Sequence, residues 1–332
     1  MRDDSPQLFL DHLLGFQKTA ALKAAVALDL FSVIAMGDST SAAIARRVGA
    51  AERGIRILCD FLTVNGHLEK NGDRYRLTPS SAMFLDRASP ACIVSVVDFL
   101  AAPVHLRRFL DDPVAYVRNG GSLGAESTAP NDAAWVTFAK SMAPFIAPVA
   151  QDVASAIVRD GKVPRTILDI AAGHGLFGIA LAQKAAGAKV IALDAAAVLA
   201  VARENAGKAG LGARFSTIEG DAFKVDWGRD YDVVLLPNFL HHFDVPTNES
   251  LLRRARGALA PGGRVVVVEM VPNDDRVTPP FPAAFAFMML GGTPRGDAYT
   301  LRELSSVARA AGFANVSAEP LPPSPQTMIV CS

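Results

Sequence analysis

The 332-residue chain carries 33 Lys and Arg against 33 Asp and Glu, so it has no overall attraction for nucleic acid or for an anionic membrane surface. Half of the residues are apolar and a fifth are charged, which permits a substantial interior, and at roughly 150 residues per domain the length predicts two domains. The three cysteines, Cys59, Cys92 and Cys331, are odd in number and widely spaced, which excludes a disulfide framework or a zinc knuckle drawn from them.

The N-terminal segment MRDDSPQLFL carries acidic residues and lacks a basic region followed by an apolar core, so it does not predict a secretory signal. No apolar run approaches the ~20 residues needed to span a bilayer. We therefore expect a soluble cytoplasmic protein with neither a membrane nor a nucleic acid as its partner.

Residues 8–35 carry apolar side chains at helical spacing and predict a helix or a pair of helices. Residues 39–81 then predict a capped short helix, a Gly turn, a second helix at 53–65 and two strands around the Asn71-Gly72 turn. This is a winged-helix pattern, which in other proteins often reads DNA. Because the charges of the first hundred positions are evenly matched, a packing or dimerisation domain over residues 1–103 is favoured.

Residues 104–160 predict a helical insert interrupted by Gly and Pro, with an exposed loop at 118–132. Beyond Pro164 strands and helices alternate, which implies a parallel sheet covered on both faces. The predicted strands are 165–171, 189–194, 213–221, 231–238, 264–271, 315–321 and 327–332, and the predicted helices are 176–186, 197–209, 247–259 and 300–311. We therefore expect an α/β fold over residues 104–332, with a Rossmann-like, mostly parallel seven-stranded sheet that ends in an antiparallel hairpin.

The first strand–helix junction, LDIAAGHGLFG, contains a glycine loop with two interpretations. Gly173, Gly175 and Gly178 form a GxGxxG pattern, and Asp194 lies near the ~20-residue offset expected in a nicotinamide dinucleotide site. Such glycines let the backbone approach a ligand, and the helix N-terminus offers free N–H groups. This pattern alone leaves a nicotinamide-dependent oxidoreductase open.

Two further carboxylates favour a different ligand. Asp169 precedes the glycines, where its charge would repel a pyrophosphate but could pair with an ammonium group. Asp221 follows the third strand, so three carboxylates stand at successive strand ends. S-adenosylmethionine offers the matching ammonium, ribose diol and adenine amine.

The order LDIAAGHG, VIALD, GDAF, LLPNFLHHF and LAPGGRVVVVE resembles the class I S-adenosylmethionine-dependent methyltransferases. With the winged helix, nearly the whole chain is similar to the small-molecule O-methyltransferases typified by plant caffeate and hydroxyindole enzymes and by bacterial natural-product enzymes. The resemblance implies methyl transfer to a hydroxyl of an aromatic or polyketide-like small molecule, with S-adenosylhomocysteine as product. It also implies a homodimer through the N-terminal domain. Some relatives bind the cofactor without methylating, and that alternative stays open.

The resemblance implies cofactor-binding residues at the ends of the first three strands. They are Asp169, Gly173 and Gly175 for the methionine part, Asp194 for the ribose, and Asp221 with Ala222 for the adenine. Two positions depart from the family pattern. Ala171 stands in place of the first glycine, and Pro237 replaces a Lys near the cofactor carboxylate, for which Asn238 is the expected substitute.

The family's general base is a His beyond the fourth strand, followed by an acid and an aromatic residue. Set on that pattern, LHHF places His241 at the base, His242 at the acid and Phe243 at the aromatic position. A phenol with a pKa near 10 must lose its proton during attack, and a neutral imidazole can accept it. Because adjacent residues diverge on a helix or a strand, the two imidazoles are not expected to share a target or a metal ion.

The base needs a partner for its other ring nitrogen. The family places a Glu at the end of the fifth strand, which is Glu269 here, closing a run of four valines. Burying that carboxylate without a partner would be costly, so a hydrogen bond to His241 is expected. Asp297 and Tyr299 are the candidates for a further polar group near the pocket.

Two apolar stretches, residues 135–145 and 279–290, are rich in aromatic residues and methionine. Such surfaces suit a flat aromatic acceptor, although similar stretches more often form ordinary core. The resemblance favours four of these residues as the acceptor pocket, namely Phe138, Met142, Phe285 and Met289.

Overall fold

The computed structural model describes residues 5–124, 133–159 and 161–332, so residues 125–132 of the predicted loop lie outside it. The chain divides into two units, Met1–His105 and Leu106–Ser332. Within the described residues, no single helix is long and apolar enough to cross a membrane. Ala133–Ser141 and Ala143–Val158, bent by 67° at their junction, meet that criterion only as a pair.

The first unit is mainly helical and contains one β-hairpin. Its elements are α1 (Gln7–Leu13), α2 (Gly15–Ala27), α3 (Leu30–Ala35), α4 (Ser41–Val48), α5 (Glu52–Val64), β1 (Leu68–Asn71), β2 (Arg74–Leu77), α6 (Pro79–Phe84) and α7 (Val96–Leu100). Thr40 caps α4 by accepting the N–H of Ala43. In the hairpin Asn71 lies opposite Arg74, and Gly72 has a φ of +62°, which suits a tight turn. The predicted helix, turn, helix and hairpin are confirmed.

The second unit begins with helices and continues as an alternation of strands and helices. The helices that precede the sheet are α8 (Pro103–Leu110), which starts at the boundary of the units, α9 (Pro113–Asn119), α10 (Ala133–Ser141) and α11 (Ala143–Val158). The alternating elements are β3 (Thr166–Ile170), α12 (Leu176–Lys184), β4 (Lys189–Asp194), α13 (Ala196–Lys208), β5 (Phe215–Glu219), β6 (Tyr231–Pro237), α14 (Val245–Ala258), β7 (Leu259–Met270), α15 (Pro280–Gly292), α16 (Leu301–Ala310), β8 (Val316–Pro320) and β9 (Gln326–Cys331).

The seven strands of the second unit form one sheet in the order β5-β4-β3-β6-β7-β9-β8. The pairs from β5 to β7 are parallel, and β9 is antiparallel to both β7 and β8. This confirms the predicted Rossmann-like sheet with a C-terminal antiparallel hairpin.

The central strands are mostly apolar because both faces of the sheet are covered. In β6, Val234 and Leu236 pack into one core, and Val233 and Leu235 pack into the other core on the opposite face. Successive side chains of a strand point to opposite faces. Continuous apolar runs, rather than alternating ones, are therefore what this sheet requires.

The strand order reverses between β3 and β6. The chain leaves β3 towards β4 and β5 and then returns to β6 on the other side. Connections that diverge in this way leave a crevice at the carboxyl ends of the strands, where α/β proteins bind ligands. The glycine loop, the acidic residues and the two histidines all follow strands at this edge.

Strand β7 begins earlier than the predicted 264–271. Its register with β6 shifts between the pair Tyr231–Leu259 and the pair Val233–Arg264, so the intervening residues form an irregular segment. A Cβ atom on Gly263 would lie 2.7 Å from the carbonyl oxygen of Tyr231. Gly263 thus permits a close backbone approach that apolar periodicity alone does not predict.

Candidate active site

A cavity of about 800 Å³ lies at the carboxyl edge of the sheet. Its walls come from the segments that follow β3, β4, β5 and β6 and from the segment after α15. Among its lining residues are Asp194, Asp221, Ala222, Phe223, Phe239, His242, Phe243 and Arg295. The structure therefore brings together the predicted residues Asp194, Asp221 and Ala222 in one cavity.

The glycine loop between β3 and α12 follows a left-handed backbone path. Ala171, Gly173 and Gly175 have φ angles of +50°, +57° and +74°, a region that favours glycine. A Cβ atom on Gly175 would lie 3.0 Å from the Cβ of Ala202, whereas one on Gly173 would meet nothing closer than 3.9 Å. Gly175 thus serves helix packing, and Gly173 leaves space open above the loop.

Asp169 is completely buried at the base of this loop. Its Oδ2 accepts the N–H of Gly178 at 3.0 Å, while its Oδ1 has no hydrogen-bond partner in the described part of the chain. Burial raises the pKa of Asp169 to about 7; the Gly178 hydrogen bond opposes this rise, and the nearby charge of Asp194 adds to it. An unpaired buried carboxylate oxygen calls for a partner, and a ligand cation would provide one.

Asp194 ends β4 and holds the glycine loop. Its Oδ2 accepts the N–H of Gly173 at 2.8 Å, and its Oδ1 accepts the N–H of Ala195 at 2.7 Å. Burial raises the pKa of Asp194, and the two N–H groups counteract that rise. The carboxylate is thereby fixed on the cavity wall.

The segment after β5 places Asp221 and Ala222 on the wall beside Asp194. Asp221 accepts the N–H of Phe223 at 2.9 Å. The carbonyl oxygen of Ala222 accepts hydrogen bonds from Trp227 Nε1 at 2.9 Å and from Arg254 at 2.8 Å. These two hydrogen bonds fix the backbone of the segment that carries Asp221 and Ala222.

Three aromatic rings that sequence reasoning did not assign to the cofactor line the same cavity. Phe243 meets Phe223 and Phe239 edge to face, with ring centroids 5.0 and 4.9 Å apart. They line the cavity together with Asp221, and aromatic rings can stack on a planar ligand. The sequence signal was present, because Phe223 closes GDAF and Phe243 closes LHHF.

His241 and Glu269 form a buried pair. His241 lies in the 3₁₀ turn Leu240–His242, and its Nδ1 is 2.6 Å from Glu269 Oε2. The other oxygen, Oε1, accepts the N–H groups of Leu240 at 2.8 Å and of His241 at 3.3 Å. With Nδ1 committed to the carboxylate, Nε2 is the nitrogen available to exchange a proton.

The ring of His242 lies against that of His241, with centroids 4.3 Å apart. The expectation that the two imidazoles diverge is therefore wrong, because both residues belong to one short turn and the periodicity of a helix or strand does not apply. Burial, and then the proximity of His241, lower the pKa of His242 well below 6.5. Its Nδ1 is buried without a hydrogen-bond partner among the described residues, so His242 adds a neutral ring to the cavity wall.

Two of the predicted acceptor residues lie near the histidines. Phe285 on α15 meets His241 edge to face at 5.0 Å. Phe138 on α10 contacts Trp135, whose ring meets His242 edge to face at 5.5 Å.

The predicted acceptor residues Met142 and Met289 and the predicted cofactor residue Asn238 make contacts with other parts of the protein. Met142 packs against a core of the second unit, and Met289 is buried in α15, so their contact with an acceptor stays a prediction. The side-chain oxygen of Asn238 accepts a hydrogen bond from the side chain of Gln326, and its backbone N–H donates to Val268. These contacts give no support to Asn238 as the group that holds the cofactor carboxylate.

Comparison with known proteins gives concordant matches. Residues 123–314 match the model of an O-methyltransferase domain, and residues 10–87 match that of an O-methyltransferase dimerisation domain. The 3-hydroxy-5-methyl-1-naphthoate 3-O-methyltransferase of Streptomyces sahachiroi is 30% identical over 319 residues, covering 94% of this chain and 90% of that protein.

Two solved structures extend the comparison. A Nostoc punctiforme protein, provisionally described as an O-methyltransferase, is 46% identical, covers 99% of both chains and has a TM-score of 0.96. PigF, an S-adenosyl-L-methionine-dependent methyl transferase of Serratia sp., is 26% identical in its structure with S-adenosylhomocysteine, covers 99% of both chains and has a TM-score of 0.84.

Proposed function

Because the chain belongs to the O-methyltransferase family and S-adenosylmethionine is its cofactor, we propose that it methylates a hydroxyl of an aromatic or polyketide-like small molecule, with His241 as general base. The observation that carries this proposal is the buried pair of His241 and Glu269, 2.6 Å apart. The name of the Streptomyces sahachiroi relative, which specifies a hydroxynaphthoate, supports an aromatic acceptor.

The residues of the site fit the cofactor. Asp169 offers an unpaired buried oxygen to an ammonium group, and Gly173 leaves space open above the loop. Asp194 would bind the ribose hydroxyls, and Asp221 would bind the adenine amine, with the phenylalanine rings beside it. When bound, S-adenosylmethionine supplies a methyl group on a positively charged sulfur.

The protein's contribution to the reaction is positioning and proton transfer. Nδ1 of His241 is fixed by Glu269, so Nε2 can take the proton of an acceptor hydroxyl as the oxygen attacks. The buried carboxylate then stabilises the imidazolium that forms. General-base catalysis of this kind contributes ~10²–10⁴-fold, and alignment of the reacting groups contributes further.

A panel of phenols, assayed with radiolabelled S-adenosylmethionine, tests the proposal. We expect His241→Ala to lower kcat/KM by ~10²–10⁴-fold. Glu269→Gln should also lower it strongly, because an amide N–H that faces Nδ1 would move the ring proton to Nε2. His67→Ala, in the first unit, is the matched control and should retain wild-type activity. Full transfer by His241→Ala together with loss of transfer by His242→Ala would overturn the assignment of the base.

A further inference from the structure

The 3₁₀ turn that carries His241 is held from several sides. Glu269 accepts its N–H groups, and the N–H of Asp297 donates to the carbonyl oxygen of His241 at 3.0 Å. The hydroxyl of Tyr299 donates to the carbonyl oxygen of Phe243. Such a turn is too short to fix its own geometry, so these external bonds determine where the imidazole stands.

Asn248, on α14, donates two further hydrogen bonds to the backbone of the turn and of Phe243. The side chain is 1% exposed, and its Nδ2 donates to the carbonyl oxygens of Leu240 at 2.9 Å and of Phe243 at 3.3 Å. One amide thus spans the turn, with an acceptor immediately before the two histidines and another immediately after them.

The same side chain has an uncompensated polar atom. Oδ1 of Asn248 is buried and has no hydrogen-bond partner within the described residues. A buried, unpaired acceptor is unfavourable, and a leucine of similar size would avoid it. Packing alone therefore does not explain why an asparagine is buried at this position. The two hydrogen bonds that its Nδ2 donates do explain it.

We propose that Asn248 is a positioning residue, which keeps the turn Leu240–His242 in the geometry that joins His241 to Glu269. The inference rests on the proposed role of His241 as base. A displacement of 1 Å can lower a rate by ~10²-fold. Because Glu269, Asp297 and Tyr299 would still hold the turn, we expect a smaller loss, of about tenfold in kcat.

Asn248→Leu is the variant that keeps the volume and removes both donors, and Asn248→Ala is a second variant in case leucine is not accommodated. Leu304→Ala, buried in the same core on α16, is the control for lost stability. The readouts are kcat with the best phenol, the dissociation constant of S-adenosylhomocysteine, and the ¹H–¹⁵N spectrum of protein labelled at its six histidines. The His241 Nδ1 signal is assigned by its loss in His241→Ala.

We expect both Asn248 variants to shift the His241 Nδ1–H signal and to lower kcat about tenfold, while S-adenosylhomocysteine binding stays within twofold and Leu304→Ala keeps its kcat. An unchanged His241 signal, or a kcat within twofold of wild type, would overturn the proposal. Failure of the proposed function would look different, because His241→Ala itself would then retain transfer.

Discussion

At the scale of single residues, the proposed contact of Asp169 with the cofactor would link cofactor binding to pH. Burial raises the pKa of this carboxyl group to about 7 when no cation is bound. An ammonium group placed against Oδ1 favours the ionised form, so binding requires deprotonation. The dissociation constant of the cofactor should therefore rise as the pH falls below about 7.

We expect the dissociation constant of S-adenosylhomocysteine to rise about tenfold between pH 7.5 and pH 6, because the carboxyl group must release its proton on binding. Isothermal titration calorimetry measures this directly. Asp169→Asn cannot titrate, so its binding should be weaker but nearly independent of pH over this range. A flat profile for the wild type would show that Asp169 does not meet the ammonium group.

The contact between His241 and Glu269 was predictable at the residue scale, and the contact between His241 and His242 was not. Glu269 was expected beside His241 because the family resemblance places a Glu there and because a carboxylate that ends an apolar strand needs a partner. Nδ1 of His241 and Oε2 of Glu269 lie 2.6 Å apart. The contact between His241 and His242 depends on the path of one 3₁₀ turn, and the hydrogen bonds of Asn248 depend on a helix that follows it. Neither has a periodic signal in the sequence.

At the scale of elements, α14 supports both sides of the cavity. Asn248 holds the histidine turn, and Arg254 donates to the carbonyl oxygens of Ala222 and Val225 while its guanidinium lies 4.4 Å from the ring centre of Trp227. One helix therefore holds both the turn of the proposed base, Leu240–His242, and the segment after β5 that carries Asp221 and Ala222, each by hydrogen bonds from α14.

Gly178 marks the contact of α12 with the sheet. A Cβ atom there would lie 2.8 Å from Cγ1 of Val190 and 3.0 Å from Oδ2 of Asp169. We expect Gly178→Ala to lower the free energy of unfolding by about 1–3 kcal/mol, measured by urea denaturation. Gly257→Ala in α14, where a Cβ atom meets nothing within 4 Å, is the matched control and should be neutral or stabilising by up to about 1 kcal/mol. Equal stability of Gly178→Ala and wild type would contradict this packing account.

The strands were more predictable than the segments between them. β4 occupies residues 189–194 as expected, and β3 and β6 differ from expectation only at their ends, because buried strands leave long apolar runs bounded by polar residues. The start of β7 depends on backbone contacts with β6, and the turn Leu240–His242 depends on hydrogen bonds with Glu269, Asn248 and Asp297. Local sequence patterns do not encode those contacts.

At the scale of the whole molecule, the first unit exposes apolar side chains along α1 and α2. Leu8, Phe9, Leu13 and Phe16 are each 60–68% exposed, and the dimerisation-domain match begins at residue 10. Exposed apolar groups in such number indicate a protein–protein contact. A homodimer formed through this unit is the arrangement we propose.

Light scattering coupled to size exclusion tests the dimer. The wild type should have twice the mass of the 35.0 kDa chain, and the double variant Leu13→Glu/Phe16→Glu should have the mass of one chain because charges would be buried in the contact. Val64→Glu changes an 84% exposed side chain on α5 and should leave the mass unchanged. A monomeric wild type, or a double variant that stays dimeric, would refute the proposed contact.

If His241 removes the proton of the acceptor hydroxyl, the loss caused by its replacement depends on the acidity of that hydroxyl. The measurement is kcat/KM of wild type and His241→Ala for a phenol and for its dinitro-substituted analogue, which is already ionised at neutral pH. We expect His241→Ala to lower kcat/KM by ~10²–10⁴-fold for the phenol. The decrease should be much smaller for the ionised analogue because that acceptor needs no base. An equal loss for both acceptors would contradict it, since His241 would then act on something other than the proton.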